Sequence, residues 1–362
     1  MPLMLLQLGV VVLLQNYLIY HTPAASDKSL QRFYWTLWHL LTCIHCSKMA
    51  VRNFTKDINQ KEIEELLCSS QMNITGEVHN QLIFLSVLNT FLSSTAILGN
   101  TLILVALRRE SSIGSPSKLL YRSLAITDLC VGVMAEPADI VYWMSVVNSK
   151  NNICSYANAV SFFTGYILCS VSLATLTSIS VDRLLALLLG LRYRQIVTLK
   201  RTYIAINGFW ISSIAGTAVF YWYPAAGAWL LYICLPLCLV ITASAYTKIF
   251  LTLRCNQIQV QSHVSRAIPN QASPLNLARY RRAVTSALWI QFTLVVCYLP
   301  YGLAVALTPQ TWFSLSFYLA RQFTVTLAYL NSSLNPLLYC WKIKEIRQAV
   351  KDTITQIFCS SY

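Results

Sequence analysis

Asn331-Ser-Ser-Leu-Asn-Pro-Leu-Leu-Tyr339 decides how the rest of this chain is read. The stretch lies inside an apolar run that begins near Phe317 and predicts a membrane helix. Pro336 has no N–H to give to the Ser332 carbonyl four residues back, and its ring pushes that carbonyl aside. In hydrocarbon an unpaired carbonyl is costly, so side chains, water or a neighbouring helix must satisfy it. Asn331, Ser332, Ser333 and Asn335 supply polar groups within a turn of the kink, and Tyr339 follows one turn later. A weak, hydrated hinge ending in a tyrosine suits a helix that bends. Taken alone, it does not separate a receptor from a transporter.

Composition narrows the class. Of the 362 residues, 56% are hydrophobic and 11% charged, with a mean hydropathy of +0.54, whereas soluble domains carry about 25% charged residues. This excludes a soluble domain and predicts a polytopic membrane protein. The net charge of +14 is therefore not read as a nucleic-acid surface, because Lys and Arg orient membrane proteins by collecting in cytoplasmic loops. Several cysteines lie in apolar runs, where they behave as small buried apolar residues. Cys43-Ile-His-Cys46 lacks the second pair that a zinc site needs.

Residues 1–20 are strongly apolar, small residues follow at Ala24, Ala25 and Ser26, and the stretch 1–48 is read as a unit ahead of the polar segment. It reads as a signal peptide without the usual positive start, as a leader ahead of Met49, or as an anchor. Residues 49–81 are polar and predict an extracellular segment with two glycosylation acceptors, Asn53 and Asn73. Seven apolar runs follow, near 82–107, 119–144, 153–187, 202–223, 229–253, 283–307 and 317–341. Each is long enough for the roughly 20 residues that cross a bilayer.

The expected fold is all-α, a seven-transmembrane helix bundle over 82–342. A short amphipathic cytoplasmic helix and tail occupy 343–362. Arg and Lys cluster after the first, third, fifth and seventh runs, which places the N-terminal segment outside and the tail inside. The tail alternates basic and apolar residues at helical spacing, as a helix on the inner membrane surface does. Cys359 beyond it is a palmitoylation candidate.

Charges inside a membrane mark function by default. Asp128 lies mid-way along the second run, Asn100 along the first and Ser172 along the third. With Asn331, Ser332 and Asn335 they offer hard oxygen ligands for a sodium ion and water, or a network that packs the helices. Asp182-Arg183 closes the third run as a neighbouring charge pair. Glu136 and Asp139 share one helix face. There they recognise a cationic ligand group, lie in solvent, or pair with Arg321.

These residues resemble the rhodopsin-like (class A) G-protein-coupled receptors over about 82–359. The carriers are Gly99-Asn100, Leu124-Ala-Ile-Thr-Asp128, Ser180-Val-Asp-Arg183, Trp210, Cys297-Tyr-Leu-Pro300 and Asn335-Pro-Leu-Leu-Tyr339. Each is weak alone, but their order on these helices is specific. The resemblance implies an allosteric sodium ion held by Asp128, Ser172, Asn331, Ser332 and Asn335. It implies a coupling switch of Asp182, Arg183, Tyr246 and Tyr339, and a hinge of Cys297, Tyr298, Pro300, Asn335 and Pro336. The ligand would lie among Glu136, Asp139, Gly165, Tyr166, Cys169, Tyr298, Tyr301 and Arg321. The implied protein is a plasma-membrane receptor and not an enzyme. Its implied partners are a heterotrimeric G protein, arrestin and an extracellular ligand.

The chain departs from the family pattern at several positions. Leu184 replaces the tyrosine after Arg183, and Tyr298 replaces the sixth-helix tryptophan. Tyr280 stands where an acidic partner for Arg183 often sits, and Pro236 is two residues upstream of its usual place. Gly165 occupies the position where amine receptors carry aspartate, so the expected ligand is a peptide or lipid rather than a monoamine.

Cys154 precedes Arg183 by 29 residues (183 − 154), and the loop at Pro224–Gly227 has no cysteine to pair with it. Cys68 is a candidate substitute, and the partner of Cys154 stays open on the sequence. The short loop is similar to the melanocortin, cannabinoid and lysolipid branch. A membrane carrier or channel, or a receptor-like protein that does not signal, are the competing functions.

Overall fold

The computed structural model describes residues 68, 76–109, 114–267, 289, 292–305, 315–342 and 344–359. Among them every regular element is helical. The membrane helices are α1 (Gly76–Arg109), α2 (Ser115–Val147, in three segments), α3 (Asn151–Leu189), α4 (Leu199–Trp222), α5 (Pro224–Ala267), α6 (described over Phe292–Val305) and α7 (Leu315–Lys342). An eighth helix, α8, covers Lys344–Cys359. The glycosylation candidates Asn53 and Asn73, the segment 1–48 and Tyr280 lie outside the described residues, as does the side chain of Cys359.

Helices α1, α3, α4 and α5 are each long and apolar enough to cross a bilayer without interruption. Helix α3 packs on α2, α4 and α5, while α7 closes the ring against α1. Apolar residues fill two layers. Leu120, Leu124, Leu176 and Tyr339 belong to the layer near α8, and Leu82, Trp143, Cys154 and Tyr318 to the opposite layer.

Three boundaries differ from the expected ones. Helix α1 begins at Gly76, six residues before the apolar run at Leu82. Helix α2 is not continuous. Ser115–Cys130 passes through a π-turn at Val131–Ala135 into Glu136–Val147. A π-turn skips a normal hydrogen bond, and Ser93 of α1 donates to the Gly132 carbonyl at 2.7 Å. The expected loop Pro224–Gly227 is helical, because proline at the first helical position needs no donor and has the right φ. Tyr223 alone separates α4 from α5.

The proline kink in α7 is solved from outside its own helix. Asn100 of α1 donates its amide to the Ser332 carbonyl at 3.1 Å, the carbonyl that Pro336 leaves without a partner. Gly99 makes this approach feasible. A Cβ there would sit 2.9 Å from Cγ of Pro336, so α1 reaches the kink only where a side chain is missing. Ser333 adds a bond to the Leu92 carbonyl at 2.9 Å. Helix α8 then turns onto α1 and α7, with Ile346, Ala349, Val350 and Thr353 buried on one face. Arg347 donates to the Cys340 and Trp341 carbonyls at the end of α7.

One disulfide, Cys68–Cys154, ties the segment before α1 to the start of α3. This is the pairing for which Cys68 is a candidate on the sequence. It defines the disulfide end of the bundle, opposite the α8 end.

Candidate functional site

Mid-way through the bundle, Asp128 is fully buried. The Ser172 hydroxyl donates to its Oδ1 at 3.1 Å and the Ser332 hydroxyl at 2.9 Å, while the Asn335 amide donates to Oδ2 at 2.7 Å. Helices α2, α3 and α7 thus converge on one carboxyl. Asn331 is buried beside them, but its amide nitrogen has no hydrogen-bond partner among the described residues. The donor set fits a hard cation. Hydroxyl oxygens keep free lone pairs while donating, and an amide whose nitrogen has no acceptor presents its oxygen when flipped. Asp128, Ser172, Ser332 and Asn331 are the residues that would hold sodium, and Asn335 orients the carboxylate.

Toward the disulfide end, a cleft with about 820 Å³ of empty space opens between α2, α3, α5, α6 and α7. Asp139, Gly165, Tyr166, Cys169, Tyr298, Tyr301 and Arg321 all line it. Asp139 accepts a bond from Ser161. Arg321 donates to the Tyr166 hydroxyl at 3.4 Å, and Tyr166 is hydrogen-bonded in turn to Tyr301. Gly165 faces Tyr329, whose hydroxyl would lie 2.6 Å from a Cβ at that position.

Glu136, grouped with these residues from the sequence, is not on the cleft wall. It is fully buried, and neither carboxyl oxygen has a hydrogen-bond partner among the described residues. Neither member of the acidic pair is solvated, since Asp139 is 2% exposed.

Tyr298 joins the cleft to the polar cluster, because its phenol lies against Ser172. On α6 it precedes Pro300, and Cys297 is buried beside it.

At the α8 end the charged pair does not close on itself. Asp182 accepts bonds from Ser117 at 2.7 Å and Tyr193 at 2.5 Å. Arg183 turns instead to Tyr121 on α2, donating from Nε at 3.2 Å and from Nη2 at 2.9 Å. Among the described residues no hydrogen bond joins Asp182 to Arg183, and each carboxylate oxygen of Asp182 accepts from a hydroxyl. Tyr339 lies edge-on to Tyr121, with ring centroids 5.2 Å apart. Tyr246 of α5 is buried against Ser180. Tyr121, Ser117 and Tyr193 were not singled out from the sequence. The only signal there was a tyrosine and a serine at helical spacing on an otherwise apolar face.

Comparison with known proteins matches residues 99–228 to the family model for the 7 transmembrane receptor (rhodopsin family). The chain is similar to melanocortin receptor 5 of Bos taurus, 26% identical over 271 residues, covering 72% of this chain and 80% of that receptor. It is similar to adenosine receptor A3 of Ovis aries, 25% identical over 286 residues, covering 70% and 84%. It also matches melanocortin receptor 4 of Danio rerio, 25% identical over 295 residues, covering 79% and 85%. Melanocortin and adenosine receptors score alike, so identity does not choose a branch. The matches run from the glycine that admits α1 to the α7 kink through the buried aspartate and the Asp182-Arg183 end of α3. Over residues 99–228 the chain matches the rhodopsin family of seven-transmembrane receptors, and the relatives it is similar to are receptors.

Proposed function

We propose that this chain is a plasma-membrane receptor that converts binding of an extracellular ligand into activation of a heterotrimeric G protein by outward movement of α6. The observation that carries the reading is a run of contacts along the bundle. Cleft residue Tyr298 touches Ser172, Ser172 bonds Asp128, and Asp128 bonds Ser332 and Asn335 in the turn before Pro336. One turn on, Tyr339 packs on the tyrosine that holds Arg183.

The ligand enters from the disulfide end. Disulfides persist in oxidising compartments, which supports placing that end outside and the tail in the cytoplasm. Asp139 and Arg321 present opposite charges to the cleft among tyrosine rings. With no carboxylate at Gly165, this wall suits a peptide or a lipid better than a monoamine.

A ligand acts only through differential affinity for the two arrangements. In the resting arrangement Asp128 collects α2, α3 and α7. Asp128, Ser172, Ser332 and Asn331 would hold a sodium ion there, whose positive charge would balance the carboxylate and favour this arrangement. The Asn335 and Ser332 bonds hold the turn of α7 just before Pro336 to α2. Movement of Tyr298 with α6 at Pro300 disturbs Ser172 first, then the α7 kink. Tyr246, Tyr339 and Arg183 form the face that the G protein meets, and arrestin uses the same opening.

The test is a G-protein dissociation panel on the full chain, screened against peptide, lipid and nucleoside libraries. An agonist is expected whose potency falls at least tenfold in Asp139→Asn. Agonists indifferent to Asp139, Tyr301 and Arg321 substitutions would remove the cleft from the account.

A further inference from the structure

Arg183 has an unusual partner. The side chain keeps an exposed part at the α8 end, yet its guanidinium reaches across to α2 and forks onto one phenol oxygen, from Nε at 3.2 Å and Nη2 at 2.9 Å. A phenol oxygen has the lone pairs to accept both. The guanidinium carbon also lies 5.3 Å from the centroid of the same ring, within the reach of cation–π attraction. The phenol is not free to leave: Tyr121 is 3% exposed and packed in the apolar layer with Leu120, Leu124 and Leu176.

The neighbouring carboxylate does not take this role in this arrangement. Asp182 spends Oδ2 on Ser117 and Oδ1 on Tyr193. Among the described residues no carboxylate is hydrogen-bonded to Arg183. Tyr121 also packs against Tyr339, edge-on at 5.2 Å and 74°. The Tyr339 hydroxyl is buried and has no hydrogen-bond partner among the described residues. Tyr339 therefore contributes its ring alone to this contact. Arg183 and Tyr339 press on one phenol from two helices.

We propose that Tyr121 is the positioning residue that restrains Arg183 in the resting receptor, so that the restraint comes from α2 and is released through α7. The proposal rests on the coupling reading given above. A bend at Pro336 moves Tyr339, frees the Tyr121 ring and opens the fork on Arg183. No contact with α6 is needed to hold the arginine, which suits a chain with Tyr280 in place of an acidic residue. Hydrogen bonds to charged groups are the stronger class, so loss of this acceptor should shift the resting equilibrium measurably.

The test uses the full chain in lipid nanodiscs with purified Gs, Gi and Gq heterotrimers and no ligand. Tyr121→Phe keeps the ring and removes the acceptor. It is expected to raise basal nucleotide exchange about tenfold, equivalent to about 1.4 kcal/mol. Tyr121→Leu removes ring and acceptor together and is expected to give at least the same rise. It serves as the readout should the phenylalanine variant yield no folded protein. Adding Arg183→Ala to either variant is expected to abolish the gain.

A second arm reads the contact without a G protein. 3-Fluorotyrosine at position 121 is expected to change its 19F shift on Arg183→Ala. A resonance indifferent to Arg183→Ala overturns the contact. A moving resonance with unchanged exchange in both Tyr121 variants, while wild type exchanges, overturns the restraint alone. Absence of exchange from every variant with all three heterotrimers overturns the coupling reading and the restraint with it.

Discussion

Asn100 and Ser332 are joined across two helices, amide to carbonyl at 3.1 Å, at the one carbonyl that Pro336 displaces. The kink in α7 thus depends on α1. Asn100→Ala removes the donor and strands a buried acceptor, which costs about 1–3 kcal/mol. Thermal unfolding of the detergent-solubilised receptor should show this as a clear fall in midpoint. A Thr95→Ala control, which removes a half-buried hydroxyl bonded to Ser333, should fall less. Equal midpoints for wild type and Asn100→Ala would mean that another group pairs the carbonyl.

The Cys68–Cys154 bridge closes a loop of 86 residues in sequence separation. Bridges over such loops contribute roughly 2–5 kcal/mol by restricting the unfolded chain. Cys154→Ser and Cys68→Ser should lower stability by the same amount, and the double variant should add nothing to either. A double variant much worse than each single would show that the two cysteines act separately.

Much of the architecture was legible because membrane helices obey few rules. Long apolar runs and loop charges predicted seven spans and a final amphipathic helix. The tyrosine, proline and asparagine of α7 marked the hinge before any helix was placed. What was missed depends on contacts distant in sequence. Ser117 meets Asp182 across 65 positions and Tyr121 meets Arg183 across 62, with no local pattern to announce either. The π-turn at Val131–Ala135 left no signal in the sequence that differs from an ordinary helix, and Glu136 just after it is not on the cleft wall. Pro224 was read as a loop residue when it starts a helix.

For the buried cluster, Asp128→Asn removes the charge that would balance a cation. If the cluster holds sodium, wild-type receptor should melt higher in sodium chloride than in choline chloride at equal ionic strength, by linkage of binding to stability. Asp128→Asn should melt alike in both salts. A sodium-specific rise that survives Asp128→Asn would place the ion elsewhere.

Gly165 and Tyr329 set the floor of the cleft. A methyl at Gly165 would lie 2.6 Å from the Tyr329 hydroxyl, so Gly165→Ala must displace that ring. Overpacking of this kind costs about 1–3 kcal/mol. Adding Tyr329→Phe removes the clashing oxygen and should recover part of the loss. A double-mutant cycle with no coupling between the two sites would contradict the geometry.

The central claim is that this bundle drives nucleotide exchange on a G protein through Arg183. It is tested most directly by exchange on the Gs, Gi and Gq panel with wild type, Tyr121→Phe and Arg183→Ala at matched surface expression. The account predicts exchange from wild type, more from Tyr121→Phe, and a fall of at least tenfold in Arg183→Ala with normal surface levels. Exchange that is unchanged in Arg183→Ala would contradict it.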